Sequence, residues 1–284
     1  MIRVLYMSDL HLEMERWRLA VPGWPDFMAR HRAVARHPAR GPMLDGLGRV
    51  DLVVLAGDIH NGLRGVVYAE QVAEYLDAPV VMVAGNHEFY YHDVVTLLPG
   101  LRAASGKTGG RVRFLENTHT SFDVAGRLLH VLGCTLWTDY ALHGTVAASM
   151  QAAGARMNDH RFIRLQGAAF QPRDALASHE ASLFWLRQTM AALRAGPPSD
   201  VLVVSHHAPS GAVLGARTGM IAPAYGSKLL GRFEDLRPDA WIHGHTHHRH
   251  DSLIGGVRLV SAPRGYVTDG DSGTLGFRPG ILTM

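Results

Sequence analysis

The chain has 284 residues, 47% hydrophobic and 19% charged, with a formal net charge of +3, which is enough to build one sizeable core or two small ones and excludes a disordered polyelectrolyte. The apolar runs Leu52 to Ala56, Val80 to Ala84 and Val201 to Val204 are far shorter than the roughly 18 to 20 residues that span a bilayer. The opening stretch reaches Asp9 before it is long enough for a signal-peptide core, so a cytoplasmic protein is expected.

In chain order, strands are predicted at Ile2 to Met7, Asp51 to Leu55, Val80 to Val83, Arg111 to Leu115, Leu128 to Leu132, Val201 to Val204, Ala240 to His243 and Val257 to Ser261. Helices are predicted at Val66 to Leu76, Val94 to Ala104 and Asp174 to Arg194. In the last of these, Leu176, Leu183, Leu186, Met190 and Leu193 recur at helical steps, and Gly196-Pro197-Pro198 stops the helix. Glu13 to Arg49 and Leu142 to Ala169 lack clear periodicity and are expected to be irregular or helical insertions. Alternation of strands and helices predicts an α/β layered fold, and no repeat or long linker divides the chain, so a single domain over 1–284 is expected.

Five predicted strands run directly into polar clusters: Ser8-Asp9-Leu10-His11, Gly57-Asp58, Gly85-Asn86-His87-Glu88, Ser205-His206-His207 and His243-Gly244-His245-Thr246-His247. Open α/β sheets place their sites at the carboxyl ends of strands. The chain carries 18 histidines, and these clusters put several of them at ligand spacing. Asp9 with His11, and His245 with His247, are two apart, so each pair can face one ion. Asp58 offers two carboxylate oxygens, Asn86 a neutral amide oxygen and His206 an imidazole. Seven nitrogen and oxygen ligands without a thiolate are too many for one tetrahedral zinc site. With Asp58 shared, they suit two ions a few Å apart, the arrangement used for in-line displacement at phosphorus. His206 falls at the strand exit and is preferred to the adjacent His207.

These five ordered clusters resemble the motifs of the calcineurin-like metallophosphoesterases, from residue 9 to residue 247. The resemblance implies a two-sheet β-sandwich flanked by helices, a four-layer αββα fold. It implies that Asp9, His11 and His247 bind one divalent ion, that Asn86, His206 and His245 bind a second, and that Asp58 bridges. Mn, Fe, Zn, Co or Ni all suit such ligands. It implies that a metal-bridging hydroxide is the nucleophile and that His87 contacts the phosphate and supports the leaving oxygen, with Asp9 or Glu88 orienting it. Many relatives carry an acidic residue where this chain has Asn61, after His60, a departure that removes no expected ligand.

The expected substrate is a small-molecule or nucleotide phosphodiester. A phosphomonoesterase or Ser/Thr protein phosphatase with the same centre is the alternative, and a DNA nuclease or a non-catalytic scaffold ranks below both. Only two lysines, Lys107 and Lys228, are present. The positive charge is therefore nearly all arginine with no basic stripe, which disfavours nucleic acid and polyphosphate substrates. Asn86, His87, Tyr90 and Arg264 are candidate substrate contacts; Phe89 and Tyr91 could wall the pocket, Met157 to Arg161 could add a polar contact, and the glycine-rich Ala208 to Ser227, with Arg217 and Tyr225, could cover it. His60, His248 and His250 receive no role. The lone Cys134 fits a reducing compartment as a buried apolar side chain.

Overall fold

The computed structural model describes residues 1–15, 49–266 and 277–284. Its strands are β1 (Arg3–Met7), β2 (Leu52–Ala56), β3 (Val80–Val83), β4 (Val112–Phe114), β5 (Thr118–Val124), β6 (Arg127–Cys134), β7 (Arg164–Leu165), β8 (Ala168–Ala169), β9 (Asp200–Ser205), β10 (Ala240–Ile242), β11 (His250–Ile254), β12 (Val257–Ser261) and β13 (Gly280–Thr283). The helices are α1 (Arg64–Leu76), α2 (Asn86–Phe89), α3 (Val94–Gly106), α4 (Val146–Arg156), α5 (Asp159–Phe162) and α6 (Pro172–Arg194). Among the described residues no helix is long and apolar enough to cross a membrane.

Two mixed sheets face each other, one ordered β13-β1-β2-β3-β4 and the other β11-β12-β10-β9-β6-β5. In each sheet the central pairings are parallel; antiparallel strands close both edges of the second sheet and the β13 edge of the first, whose other edge strand, β4, runs parallel to β3. The strand period of two sorts side chains between layers. Val4, Tyr6, Leu52 and Val54 meet Val131, Leu202, Val204 and Ile242 in the core between the sheets. Leu5, Met7, Val53 and Leu55 face the other way, towards Val66, Ala69, Val72 and Leu76 of α1 and Leu97 and Leu101 of α3. Val201, Val203 and Trp241 pack outward on Leu183, Leu186 and Met190 of α6. The result is the expected four-layer αββα arrangement. Strands buried on both faces read as continuous apolar runs, which is why β1, β2, β3 and β9 were visible from sequence.

α6 begins at Pro172, two residues before its predicted start. Proline suits the first helical position, and Asp174 accepts a 2.7 Å hydrogen bond from the Gln171 N–H. The Leu142 to Ala169 segment, expected to be an irregular or helical insertion, holds the helices α4 and α5 and the β7–β8 hairpin. Of the Glu13 to Arg49 segment, residues 16–48 lie outside the described residues, and its start completes a 3-10 turn over Leu12–Glu15.

Glu116, which follows β4, is buried, and its Oε2 accepts from the Thr135 N–H at 2.9 Å and the Thr135 hydroxyl at 2.7 Å, tying one sheet to the other. Burial pushes this carboxyl up from 4.5 to about 7. The folded state therefore holds the proton more tightly than the unfolded chain. The associated stability is complete below pH 4.5 and is lost as pH rises through 7. On this basis Glu116 costs about 2 kcal/mol of stability between pH 5.5 and pH 8. Denaturant unfolding of Glu116→Gln at both pH values is expected to show a smaller fall than the parent chain by about that amount. An unchanged pH difference contradicts it.

Candidate metal centre

The five polar clusters lie at the carboxyl ends of β1, β2, β3, β9 and β10, the third of them opening α2, and the facing of the two sheets brings these strand ends together. The Ala56 carbonyl, at the end of β2, accepts from His206 Nδ1 at 2.9 Å, and the Asp9 carboxylate accepts from the His245 backbone N–H at 2.9 Å. Two glycines permit this approach. Gly57 has φ of +85°, and a Cβ there would stand 2.5 Å from His206 Nδ1; at Gly85 a Cβ would fall on Asp58 Oδ1.

Asp9, His11, Asp58, His245 and His247 all have left-handed backbone conformation, with φ between 47° and 65°. For L-residues with a Cβ this costs about 1 kcal/mol or more each. Left-handed turns directly after a strand re-aim these side chains towards a common point, and strain concentrated on five such residues marks a site rather than a set of ordinary turns.

The donor atoms converge closely. His11 Nε2 lies 3.0 Å from His247 Nε2, which is 3.4 Å from Asp9 Oδ1. His206 Nε2 lies 3.1 Å from Asn86 Oδ1, 3.2 Å from His245 Nδ1 and 3.4 Å from Asp58 Oδ2. Asp58 Oδ2 is also 3.8 Å from His11 Nε2, which joins the two halves. Ligands held about 2.1 Å from one ion at right angles lie about 3 Å apart, and the observed spacings are of that order. Among the described residues, three triads have their ligand atoms within 4.8 Å of one another: Asp9–His11–His247, His11–Asp58–His87 and Asp58–His206–His245. Asp9, His11, Asp58, His206 and His245 are all buried.

The surrounding hydrogen bonds fix which atoms face inward. His206 Nδ1 meets a carbonyl and so carries the proton, leaving the lone pair on Nε2. Asn86 Nδ2 donates to Asp159 Oδ1 at 2.8 Å and to the Tyr90 hydroxyl at 3.1 Å, and that hydroxyl in turn donates to Asp159. This orients the amide so that Oδ1 points at His206. Acceptors therefore face acceptors in a buried space, which is unfavourable for side chains alone and fits divalent cations. Burial works to raise both carboxyl pKa values, yet both carboxyls stay ionised: Asp9, beside His247, is held at about 2, and Asp58, beside His206 and His87, well below the usual carboxylate range.

His87 occupies α2, and its backbone N–H donates to Asp58 Oδ1 at 2.8 Å. The carboxylate on its Nδ1 is Glu13, at 2.7 Å, rather than either of the two expected from family resemblance. Glu88 instead accepts backbone N–H groups of Asp58, Ile59, His60 and Gly85, and so staples the loop after β2 to the loop after β3. Burial opposes the His87 charge, but Asp58 and Glu13 outweigh it and raise the pKa to about 9. His87 Nε2 lies 3.4 Å from the Tyr266 hydroxyl and 3.9 Å from Asp58 Oδ2.

The phosphoesterase pattern described as calcineurin-like matches residues 2–249. The chain belongs to the calcineurin-like phosphoesterase family. It is thus a metallophosphoesterase, a hydrolase of phosphoesters, and its buried His/Asp triads fit a binuclear metal site. Among solved structures this phosphoesterase is similar to the phosphopantetheinyl hydrolase (PptH) from Mycobacterium tuberculosis, with a TM-score of 0.68 and 16% identity over 93% of this chain and 89% of that one. That likeness bears on the fold. The calcineurin-like phosphoesterase YfkN from Bacillus subtilis is also similar, with a TM-score of 0.45 and 12% identity over 92% of this chain and 81% of that one. No curated protein matches the chain significantly.

The remaining sequence candidates of this phosphoesterase fall in different places. His207 turns its Nδ1 to the Thr135 carbonyl at 3.2 Å and packs its ring on His245, so of the adjacent pair it is His206 that joins the cluster. Arg264 donates to the Leu10 carbonyl at 3.1 Å, bracing the Asp9–His11 loop. Tyr90 lines the chamber beside Asp58 and Asn86, whereas Phe89 lies in the outer core and Tyr91 is exposed. Residues that the sequence did not single out are Glu13, which continues the Asp9, His11 alternation by one more step, and Asp159, which had been grouped with a possible polar insertion.

Proposed function

We propose that the chain is a single-domain phosphodiesterase, acting on small-molecule or nucleotide diesters through two divalent ions. The observation that carries this reading is the convergence of seven side-chain acceptors at the carboxyl ends of five strands. Asp9, His11 and His247 would hold one ion, Asn86, His206 and His245 the other, and Asp58, which lies between the two sets, would serve both. When bound, the ions polarise the phosphoryl oxygens and bring the pKa of a water towards neutrality. Mn, Fe, Zn, Co and Ni are all compatible with a thiolate-free set of nitrogen and oxygen donors.

The protein's own groups position and discharge the ester. Asp159 and Tyr90 lock the Asn86 amide, and the Ala56 carbonyl locks the His206 ring. His87 keeps its Nδ1 proton on Glu13 and presents Nε2–H to the departing ester oxygen. A diester is favoured over a monoester because the chamber over Asp58 and Asn86 shares Tyr225, His247 and Tyr266 with a larger outer cavity, which gives the second ester substituent room. The buried, unpaired Cys134 accords with the reducing cytoplasm.

Metal-loaded protein is expected to contain two ions per chain by elemental analysis. At saturating Mn²⁺ it is expected to hydrolyse bis(p-nitrophenyl) phosphate with higher kcat/KM than p-nitrophenyl phosphate. One ion with no weaker second site overturns the dinuclear reading. A monoester advantage of about tenfold or more moves the protein to the phosphatase class.

A further inference from the structure

We infer that Arg156 and Arg217 form a subsite for a second phosphate group of the substrate, so that the diesters this protein prefers are diphosphate diesters of the nucleoside-diphosphate type. The inference rests on the phosphodiesterase reading above and deepens it. The absence of clustered lysines argued against such substrates, but the fold assembles a basic pair from distant positions. Arg156 ends α4, Arg217 lies in the glycine-rich loop after β9, and both line the chamber over Asp58 and the outer cavity.

Size, charge and pre-organisation agree. The inner chamber is about 190 Å³ and the outer about 660 Å³. A whole small-molecule ligand needs roughly 300 to 1,000 Å³, so most of the substrate must pass from the inner space to the outer one, and both arginines stand along that passage. Among the described residues, no carboxylate other than Asp58 lines either cavity. Neither arginine has an ion-pair partner there, whereas Arg111, Arg127, Arg187, Arg194 and Arg258 each do. Two uncompensated guanidinium groups make this passage attractive to an anion beyond the one at the metal centre.

Arg217 is held ready. Its guanidinium stacks 4.0 Å from the Tyr225 ring centroid, and Tyr225 stacks in turn on His245 at 4.8 Å. Its Nε is buried without a hydrogen-bond partner. A planar guanidinium restrained on an aromatic face, with a donor still to be satisfied, suits the oxygens of a phosphate better than a mobile ammonium would. With one phosphorus over the metal ligands and its neighbour on the arginines, water adds to the first phosphorus and the bridging P–O bond breaks. The products are a nucleoside monophosphate and an alkyl phosphate, with the water's protons shared between the new phosphate ends and solvent.

The test compares two matched esters on metal-loaded protein by chromatography of the products: adenosine 5′-methyl phosphate, with one phosphate, and the β-methyl ester of adenosine 5′-diphosphate, with two. The two-phosphate ester is expected to have the higher kcat/KM by about tenfold or more, and Arg156→Ala and Arg217→Ala are each expected to shrink that ratio by about tenfold, mainly through KM. Calorimetry supplies a readout independent of turnover. Metal-loaded protein is expected to bind α,β-methylene-ADP at least about tenfold more tightly than AMP, and both variants are expected to lose this preference. If the one-phosphate ester is hydrolysed well but neither ratio responds to the arginines, the subsite is wrong and the phosphodiesterase reading stands. If neither ester is hydrolysed while the arginine-dependent binding preference persists, the subsite stands and the phosphodiesterase reading falls. Equal losses on both esters in the variants overturn the subsite in favour of a structural role for the arginines.

Discussion

Asp58→Asn is expected to lower turnover by about 1,000-fold or more, equivalent to about 4 kcal/mol of transition-state stabilisation, and to reduce the metal content from two ions per chain to one or none. Asp58 is the member shared by the triads with His11 and His87 and with His206 and His245, so its charge bears on both halves of the centre. Its Oδ2 faces His206 at 3.4 Å and His11 at 3.8 Å. An amide there either turns its N–H groups towards the ions or offers one neutral oxygen where two charged ones stood. Asparagine keeps the rest of the local structure. It can still accept the His87 N–H through Oδ1, and it tolerates the left-handed φ of 55° better than alanine does. The loop is further secured by Glu88, which accepts the backbone N–H of residue 58 whatever its side chain. The unfolding midpoint of the metal-free variant is therefore expected to match that of the metal-free parent. Turnover within about tenfold of the parent, with two ions still bound, contradicts the shared role.

The metal-ligand candidates were legible in the sequence because their signal is local. Each pair or single ligand sits within a few residues of an apolar run, and an apolar run followed at once by Asp, Asn or His is a pattern that spacing alone can show. The central strands were legible for the same reason. What escaped depends on tertiary encounters. β5 carries Thr118, His119 and Thr120 on an exposed sheet edge, where one face needs no apolar residues. α2 is one turn long, too short for any periodicity. Glu13 reaches His87, Asp159 reaches Asn86, and Arg156 meets Arg217 across one cavity. None of these pairings leaves a trace in spacing. His243 and His250 are a further case. Their Nε2 atoms lie 3.2 Å apart at the edge of β11, so His250 packs within the second sheet rather than at the metal ligands.

His87→Ala is expected to cost about 10²- to 10⁴-fold in kcat on alkyl diesters while both ions remain bound. Its Nδ1–H is committed to Glu13, so the group free to act is Nε2, beside the Tyr266 hydroxyl and 3.9 Å from Asp58 Oδ2. Protonation of a departing alkoxide is worth more than protonation of p-nitrophenolate, which is stable as an anion. The loss should accordingly be smaller for the p-nitrophenyl ester, and equal losses leave His87 with phosphate binding alone. Glu13 acts through His87 as a positioning residue. Glu13→Ala is expected to give a weaker version of the same leaving-group dependence, about tenfold on the alkyl ester, and Glu13→Gln should recover part of it because its amide oxygen can still accept the Nδ1–H. Glu13 also lies 3.4 Å from His11 Nδ1, so metal content must be measured in each variant to separate the two contacts. If the pair works as one unit and both ions remain bound, adding Glu13→Ala to His87→Ala costs almost nothing further, because the ring that Glu13 orients towards the leaving group is already gone. Additive losses with full metal content place Glu13 on a separate path from His87.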